Sequence, residues 1–102
     1  MSKYRSGSGW SDLNELRCLL AYKQLEEAGF PRNKLSELAR DIALISGLDA
    51  GSVKAKIGNY KSVAGVTGKS NASKNTKIIY GQYGHLSSDE ILELLKNSEY
   101  SK

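Results

Sequence analysis

The sequence predicts an all-α fold, a compact bundle of four to five short helices with a helix-turn-helix-like core. Apolar residues recur at intervals of three and four over most of the chain, which is the period of an amphipathic helix. Serine, asparagine and glycine stand at the ends of these periodic segments, where helix caps are expected. A chain of 102 residues has room for one domain. Only Lys77-Ile78-Ile79-Tyr80 has strand-like composition, so a small hairpin between this run and residues 63–66 is the structural alternative.

The first helix is predicted from Asp12 to Ala28. Ser11 or Asp12 caps its start, and Gly29 ends it as a C-terminal cap. Asp12 and Glu15 stand in the first turn, where a negative charge suits the helix dipole. The apolar residues form two stripes, Leu13, Leu16, Leu19 and Leu20 on one side and Cys18, Tyr22 and Leu25 on another. A helix that is apolar on two sides is expected at the centre of the bundle.

The second and third helices are predicted to form the helix-turn-helix-like pair. The second helix runs from Asn33 to Ser46, with apolar residues at helical spacing at Leu35, Leu38, Ala39, Ile42 and Ile45. Residues 47–51 form the turn, and either Asp49 or Ser52 caps the third helix, Ser52 to Ser62. One side of that short helix is apolar and comprises Val53, Ile57 and Tyr60.

The last two helices follow a glycine-broken segment, residues 63–71, that is predicted to be an exposed loop. Ser73 begins the fourth helix, which ends near Gly84. Ser87 and Glu90 form a capping box ahead of the fifth helix. Its apolar residues are expected to close the core.

Domain boundaries are placed by composition. Residues 1–9 are rich in serine and glycine and are expected to form a flexible arm, Trp10 anchors a single helical domain at 10–97, and 98–102 form a flexible tail. The arm has no apolar stretch of the kind found in export signals, and no run of 18 apolar residues occurs anywhere. A cytoplasmic protein without membrane attachment is therefore expected.

Residue usage disfavours an enzyme. One cysteine, Cys18, allows no intramolecular disulfide, and with one histidine, His85, it does not make the usual four-ligand zinc site. Cys18 is interpreted as a small core residue, and His85 as a surface or capping side chain. We expect no catalytic residues, no cofactor, no metal and no small-molecule substrate.

The positive charge is concentrated in one segment. The chain has a formal net charge of +4, yet residues 50–84 hold six lysines and no acidic residue. The remainder carries nine basic residues against all 11 acidic ones. This asymmetry coincides with the predicted third helix and the loop that follows it, and it indicates a partner with negative charge.

Double-stranded DNA is the partner that this pattern favours. Lysines would contact phosphates, while Ser52, Asn59 and Asn71 would reach base edges or specific backbone positions; asparagine is the side chain that pairs with adenine through two hydrogen bonds. The helix at 52–62 and the loop at 65–74 would meet the phosphate backbone and the major groove. The predicted nucleic-acid site comprises Ser52, Lys54, Lys56, Asn59, Lys61, Lys69, Ser70, Asn71, Lys74 and Lys77.

Several motifs resemble one known family. They are Trp10, Asp12-Leu13-x-Glu15-Leu16 through Leu20-x-Tyr22, Leu38-Ala39, Gly51-Ser52-Val53-x-x-Lys56-Ile57-x-Asn59-Tyr60, Gly68-x-Ser70-Asn71-Ala72-Ser73 and Ile79-Tyr80-x-x-Tyr83. In this order they resemble the small helical domain at the N-terminus of bacterial HNH restriction endonucleases.

The resemblance implies a module for DNA recognition or targeting. It implies DNA-facing roles for Ser52, Lys56, Asn59, Ser70 and Asn71. In that family the nuclease is a separate C-terminal domain, and one histidine does not supply its His-Asn-His metal site, so nuclease activity is not expected here.

A protein-interaction module is the alternative function. A free-standing copy of such a domain, carried by a bacteriophage or mobile element, would bind a restriction or other defence nuclease, or would pair with itself as a homodimer. The fifth helix offers Leu92 and Leu95 for this contact.

Overall fold

The computed structural model describes residues 9–65 and 73–100. The part of the chain that it describes is built from helices and contains no strand, which confirms the all-α prediction. Lys77-Ile78-Ile79-Tyr80 is helical, so the hairpin alternative is wrong. The helices are α1 (Asp12–Ala28), α2 (Lys34–Ser46), α3 (Ala50–Val63), α4 (Lys74–Tyr83) and α5 (Ser88–Tyr100).

Local capping signals determine most helix ends. The Asn14 N–H donates to Ser11 Oγ at 3.2 Å at the start of α1, and Gly29 ends that helix in the left-handed conformation with φ 80°. Before α5, the Glu90 N–H donates to Ser87 Oγ and the Ser87 N–H donates to Glu90 Oε1, at 3.2 and 3.0 Å, which confirms the capping box.

Two boundaries differ from the sequence prediction by two residues or more. Helix α3 begins at Ala50 rather than Ser52, because Asp49 is the residue that caps it, accepting from the Ser52 N–H at 3.0 Å. The turn between α2 and α3 is therefore residues 47–49, shorter than the five residues expected. Helix α5 continues to Tyr100, beyond the boundary expected at residue 97.

Helix α1 is central, as its two apolar stripes predict, and packs against each of the other four helices. Cys18, Leu19 and Tyr22 of α1 are fully buried among apolar residues of α3, α4 and α5, which include Val53, Ile57, Tyr60, Ile79 and Ile91. Trp10 packs on the edge of this core. Ile45, expected on the core side of α2, is instead 65% exposed.

Candidate nucleic-acid interface

The outward side of α3 is made of small residues. A helix turns by about 100° per residue, so positions 51, 55, 58 and 62 lie opposite the buried Val53, Ile57 and Tyr60. These positions hold Gly51, Ala55, Gly58 and Ser62. A helix with such short outward side chains allows its backbone to approach a ligand surface closely.

Predicted site residues border this small-residue side on both edges. Lys54 and Lys61 lie along one edge, and Ser52 and Asn59 lie along the other. Ser52 and Lys54 are exposed, whereas Asn59 and Lys61 are partly buried. The Lys61 ammonium lies 4.6 Å from the centre of the Phe30 ring, a distance that permits a cation–π contact.

Helix α4 packs on the Asn59 edge of α3. Lys56, on that edge, donates to Thr76 Oγ1 of α4 at 3.0 Å, and Ser73 caps α4 by accepting from the Thr76 N–H. Lys74 and Lys77 of the same helix are exposed. Lys54 and Lys61 therefore lie along one edge of this side of α3, and Lys74 and Lys77 are on the helix that packs at its other edge.

Lys56 itself is directed into the protein. Its Nζ donates to Glu15 Oε2 at 2.9 Å, and the side chain is only 13% exposed. The ammonium also lies 4.6 Å from the centre of the Trp10 ring. This differs from the surface position expected from the sequence, and the reason is that Glu15, 41 residues earlier, is a buried carboxylate that needs a cation.

Glu15 is the centre of a buried polar network. Its carboxylate, 1% exposed, accepts from Lys56, from the Tyr60 hydroxyl at 2.6 Å and from Thr76 Oγ1 at 3.1 Å. These donors come from α3 and α4, so the network joins both helices to α1. Within the described residues, no buried side-chain nitrogen or oxygen is without a hydrogen-bond partner. Little in the sequence indicates this network, because Glu15 is equally well interpreted as an acidic residue of the first turn of α1 that interacts with the helix dipole.

Four other lysines of the basic segment lie in the part of the chain that the structure describes. Lys54, Lys61, Lys74 and Lys77 form no ion pair in the part of the chain that the structure describes. The other three predicted site residues, Lys69, Ser70 and Asn71, lie outside the described residues.

An apolar groove was not anticipated from the sequence. Helices α2 and α5 both pack on α1 and leave between them a groove of about 580 Å³. Its apolar lining comprises Leu20, Leu38, Ile42, Ile45, Leu92 and Leu95, and its charged lining is Arg17, Lys34, Asp41 and Lys96. Leu44, the residue before Ile45 in the last turn of α2, is 85% exposed. Leu95 is buried in the core as expected, whereas Leu92 remains exposed at the groove.

Cys18 and His85, the single cysteine and the single histidine, lie in different surroundings. Burial raises the pKa of the Cys18 thiol to about 12, with the Glu15 charge adding to the effect, so the thiolate is strongly disfavoured. His85 is exposed in the turn between α4 and α5. Among the described residues, no group of three or more His, Cys, Asp or Glu side chains is arranged to hold a metal ion.

Comparison with protein-family models, with characterised proteins and with solved structures finds no match for this chain. In the two described ranges, none of the helices has both the length and the apolar composition needed to cross a membrane. The assignment of function therefore depends on the surface geometry.

Proposed function

We propose that this protein is a non-catalytic double-stranded DNA-binding domain that presents α3 to the major groove. The observation that supports this most strongly is a set of four lysines that form no ion pair within residues 9–65 and 73–100: Lys54 and Lys61 lie along one edge of the small-residue side of α3, and Lys74 and Lys77 are on the helix that packs at its other edge. Lysines so arranged suit the two phosphate chains that border a groove. The segment that contains them has no acidic residue to repel DNA.

The α2–α3 pair supports this proposal through its proportions. A turn of three residues, 47–49, joins the helices, and DNA-binding helix-turn-helix units have turns of about 3–4 residues. In such units the second helix enters the major groove with its N-terminal residues towards the bases. Ser52, in the first turn of α3, and Asn59 are the candidates for base contacts. Lys69, Ser70 and Asn71, which precede α4 in the sequence, stay in the proposal as further contacts.

The resemblance to the N-terminal domain of HNH restriction endonucleases agrees with a recognition role in the bacterial cytoplasm. It suggests a protein of a restriction system, or of a bacteriophage or mobile element that acts on one. We carry over the targeting role and no catalytic step.

Salt dependence tests the proposal directly. Four phosphate contacts give a slope of log K against log[salt] of about −3.6, measured by fluorescence anisotropy on a labelled random duplex. The double variant Lys74→Gln/Lys77→Gln should reduce the magnitude of this slope by about 1.8. Lys34→Gln/Lys96→Gln removes the same charge from the groove between α2 and α5, and it should leave the slope unchanged. A slope near zero, or equal loss in both double variants, would refute the proposed interface.

Asn59→Ala tests sequence reading. If Asn59 contacts a base edge, the variant should lose discrimination between a preferred duplex and its single-base variants by about 1–3 kcal/mol. Binding to random duplex should change little. Asn97→Ala, at an exposed position of α5 outside the proposed interface, is the matched control and should change neither quantity.

A protein-interaction role is the second candidate, and the groove between α2 and α5 favours it. Two large apolar side chains that line this groove are exposed, Ile45 at 65% and Leu92 at 37%. Three of the four charged lining residues are basic, so the occupant that fits is an acidic amphipathic helix of a partner protein.

The affinity of the protein for a labelled acidic amphipathic peptide tests this second candidate function. We expect it to bind more tightly than a peptide of the same apolar pattern with the charges reversed. Ile45→Glu should abolish the difference, and Lys77→Glu, outside the groove, should preserve it. Equal binding of the two peptides would exclude the proposed occupant.

A further inference from the structure

A second cavity lies between α3 and the loop that joins α1 to α2. It has a volume of about 320 Å³, and its apolar walls are formed by Tyr22, Leu25, Phe30, Leu35 and Ile57. This volume is at the lower end of the range of small-molecule sites, which begins at about 300 Å³. The cavity is separate from the groove between α2 and α5.

The charge around this cavity has one sign. Arg32, Lys54 and Lys61 line it, and no acidic residue is among the lining residues. The Lys61 ammonium is held over the Phe30 ring, 4.6 Å from its centre, so one cation is fixed directly above an aromatic wall. Apolar walls with cations at the opening suit a molecule that has an apolar or planar body and an anionic group.

Gly58 creates part of the space. This glycine is inside α3, where it weakens the helix relative to alanine, and a Cβ built on it would meet no heavy atom within 4 Å. The missing side chain therefore is not required by packing of the protein against itself. It leaves room for a ligand against the helix backbone.

The backbone of the loop is unusual at two residues that line the cavity. Phe30 has φ 56° and Asn33 has φ 69°, and within the described residues these are the only non-glycine positions with positive φ. Phe30 follows the Gly29 cap and donates its N–H to Leu25 O at 2.8 Å at the end of α1, and Asn33 is the N-cap of α2, so both conformations belong to helix ends. At Phe30 this conformation accompanies a ring that forms a wall of the cavity.

We infer that this cavity binds a small organic anion of about the size of a nucleoside monophosphate, with its planar body against Phe30 and Ile57 and its phosphate or carboxylate at Arg32, Lys54 and Lys61. The inference goes beyond DNA binding and does not depend on it. Nothing in the sequence pattern pointed to such a ligand, because the lining residues come from three separate segments of the chain.

Isothermal titration calorimetry of the full chain with AMP, adenosine and inorganic phosphate tests the inference. AMP should bind at least tenfold more tightly than adenosine, which lacks the anion, and than phosphate, which lacks the body. Gly58→Leu should abolish AMP binding by filling the cavity. Gly81→Leu is the matched control, because Gly81 is an exposed helical glycine that also has open space around it, and this variant should bind AMP as the wild type does.

A second variant tests the inference even if the Gly58→Leu protein does not fold. Arg32→Gln, at an exposed loop position, should weaken AMP at least fivefold and leave adenosine unchanged. The inference is overturned if AMP produces no binding heat up to 10 mM, if AMP and adenosine bind equally, or if folded Gly58→Leu binds AMP like the wild type. A protein that binds duplex DNA but not AMP would retain the proposed function and lose only this inference.

Discussion

Lys56→Met keeps most of the aliphatic stem and removes the ammonium that neutralises Glu15. Breaking a buried ion pair from one side costs about 3–5 kcal/mol, because the other charge is left in the interior. The value here should be near the lower limit, since Glu15 keeps the Tyr60 and Thr76 hydroxyl donors at 2.6 and 3.1 Å. We therefore expect a loss of about 3 kcal/mol in the free energy of unfolding, or a fall of about 12–24 °C in Tm for a domain of this size.

Urea denaturation followed by circular dichroism measures this loss. Lys54→Met removes an exposed lysine from the same helix and should change the free energy of unfolding by less than about 0.5 kcal/mol. In Lys56→Met/Glu15→Gln the buried charge is gone and the amide oxygen can still accept from the Tyr60 and Thr76 hydroxyls, so most of the lost stability should return. The reasoning is wrong if Lys56→Met is no less stable than Lys54→Met, or if the double variant is less stable than Lys56→Met alone.

The same variant separates an interior role from a phosphate contact. At a temperature where Lys56→Met is fully folded, its salt slope on duplex DNA should equal that of the wild type, whereas Lys54→Met should lower the magnitude by about 0.9. A reduced slope for folded Lys56→Met would mean that the Lys56 ammonium leaves Glu15 to meet DNA.

Three further outcomes are expected. The Cys18 thiol should react with a disulfide reagent at pH 8 only after unfolding, and prompt labelling of the native protein would contradict its burial. Because folding raises the pKa of this thiol from 9.0 to about 12, the free energy of unfolding should fall as the pH rises from 9 towards 12. Ser88 donates through both its Oγ and its N–H to the Glu27 carboxylate and lowers the pKa of that group, so Ser88→Ala should raise this pKa towards its ordinary value in an NMR titration. The stabilisation that the lowered pKa provides is present above about pH 4.5 and is lost as the pH falls. Gly29→Ala should cost about 1–2 kcal/mol in urea denaturation, since φ is 80° there although a Cβ would meet no atom, and an unchanged midpoint would show that the end of α1 relaxes.

The helices and their ends could be predicted from the sequence because the signals are local. Ser11, Gly29 and the Ser87 to Glu90 box each act within a few residues, so no knowledge of the tertiary structure is needed to place them. The start of α3 was misplaced because Asp49 and Ser52 are both residues that cap helices, and only the geometry shows which one accepts the hydrogen bond.

The pairing of Glu15 with Lys56 could not be predicted in the same way. Each residue has an ordinary local interpretation, one as an acidic first-turn residue and the other as a basic surface residue. Their contact depends on how closely α1, α3 and α4 approach one another, which the helical periods leave open. Ile45 is a similar case, since its spacing fits the core side of α2 although its side chain is 65% exposed.

The interior pair also constrains the surface that carries the lysines. Glu15 accepts two hydrogen bonds from α3 and one from α4, and these directional contacts are satisfied together at one placement of the two helices on α1. Leucine and isoleucine contacts in the same core have no comparable directionality. Because Lys54 and Lys61 are on α3 and Lys74 and Lys77 are on α4, the spacing between the two pairs follows from that placement. The six lysines of the basic segment are therefore not six candidate ligand contacts, because the ammonium of Lys56 joins α3 to α1 and α4 inside the protein.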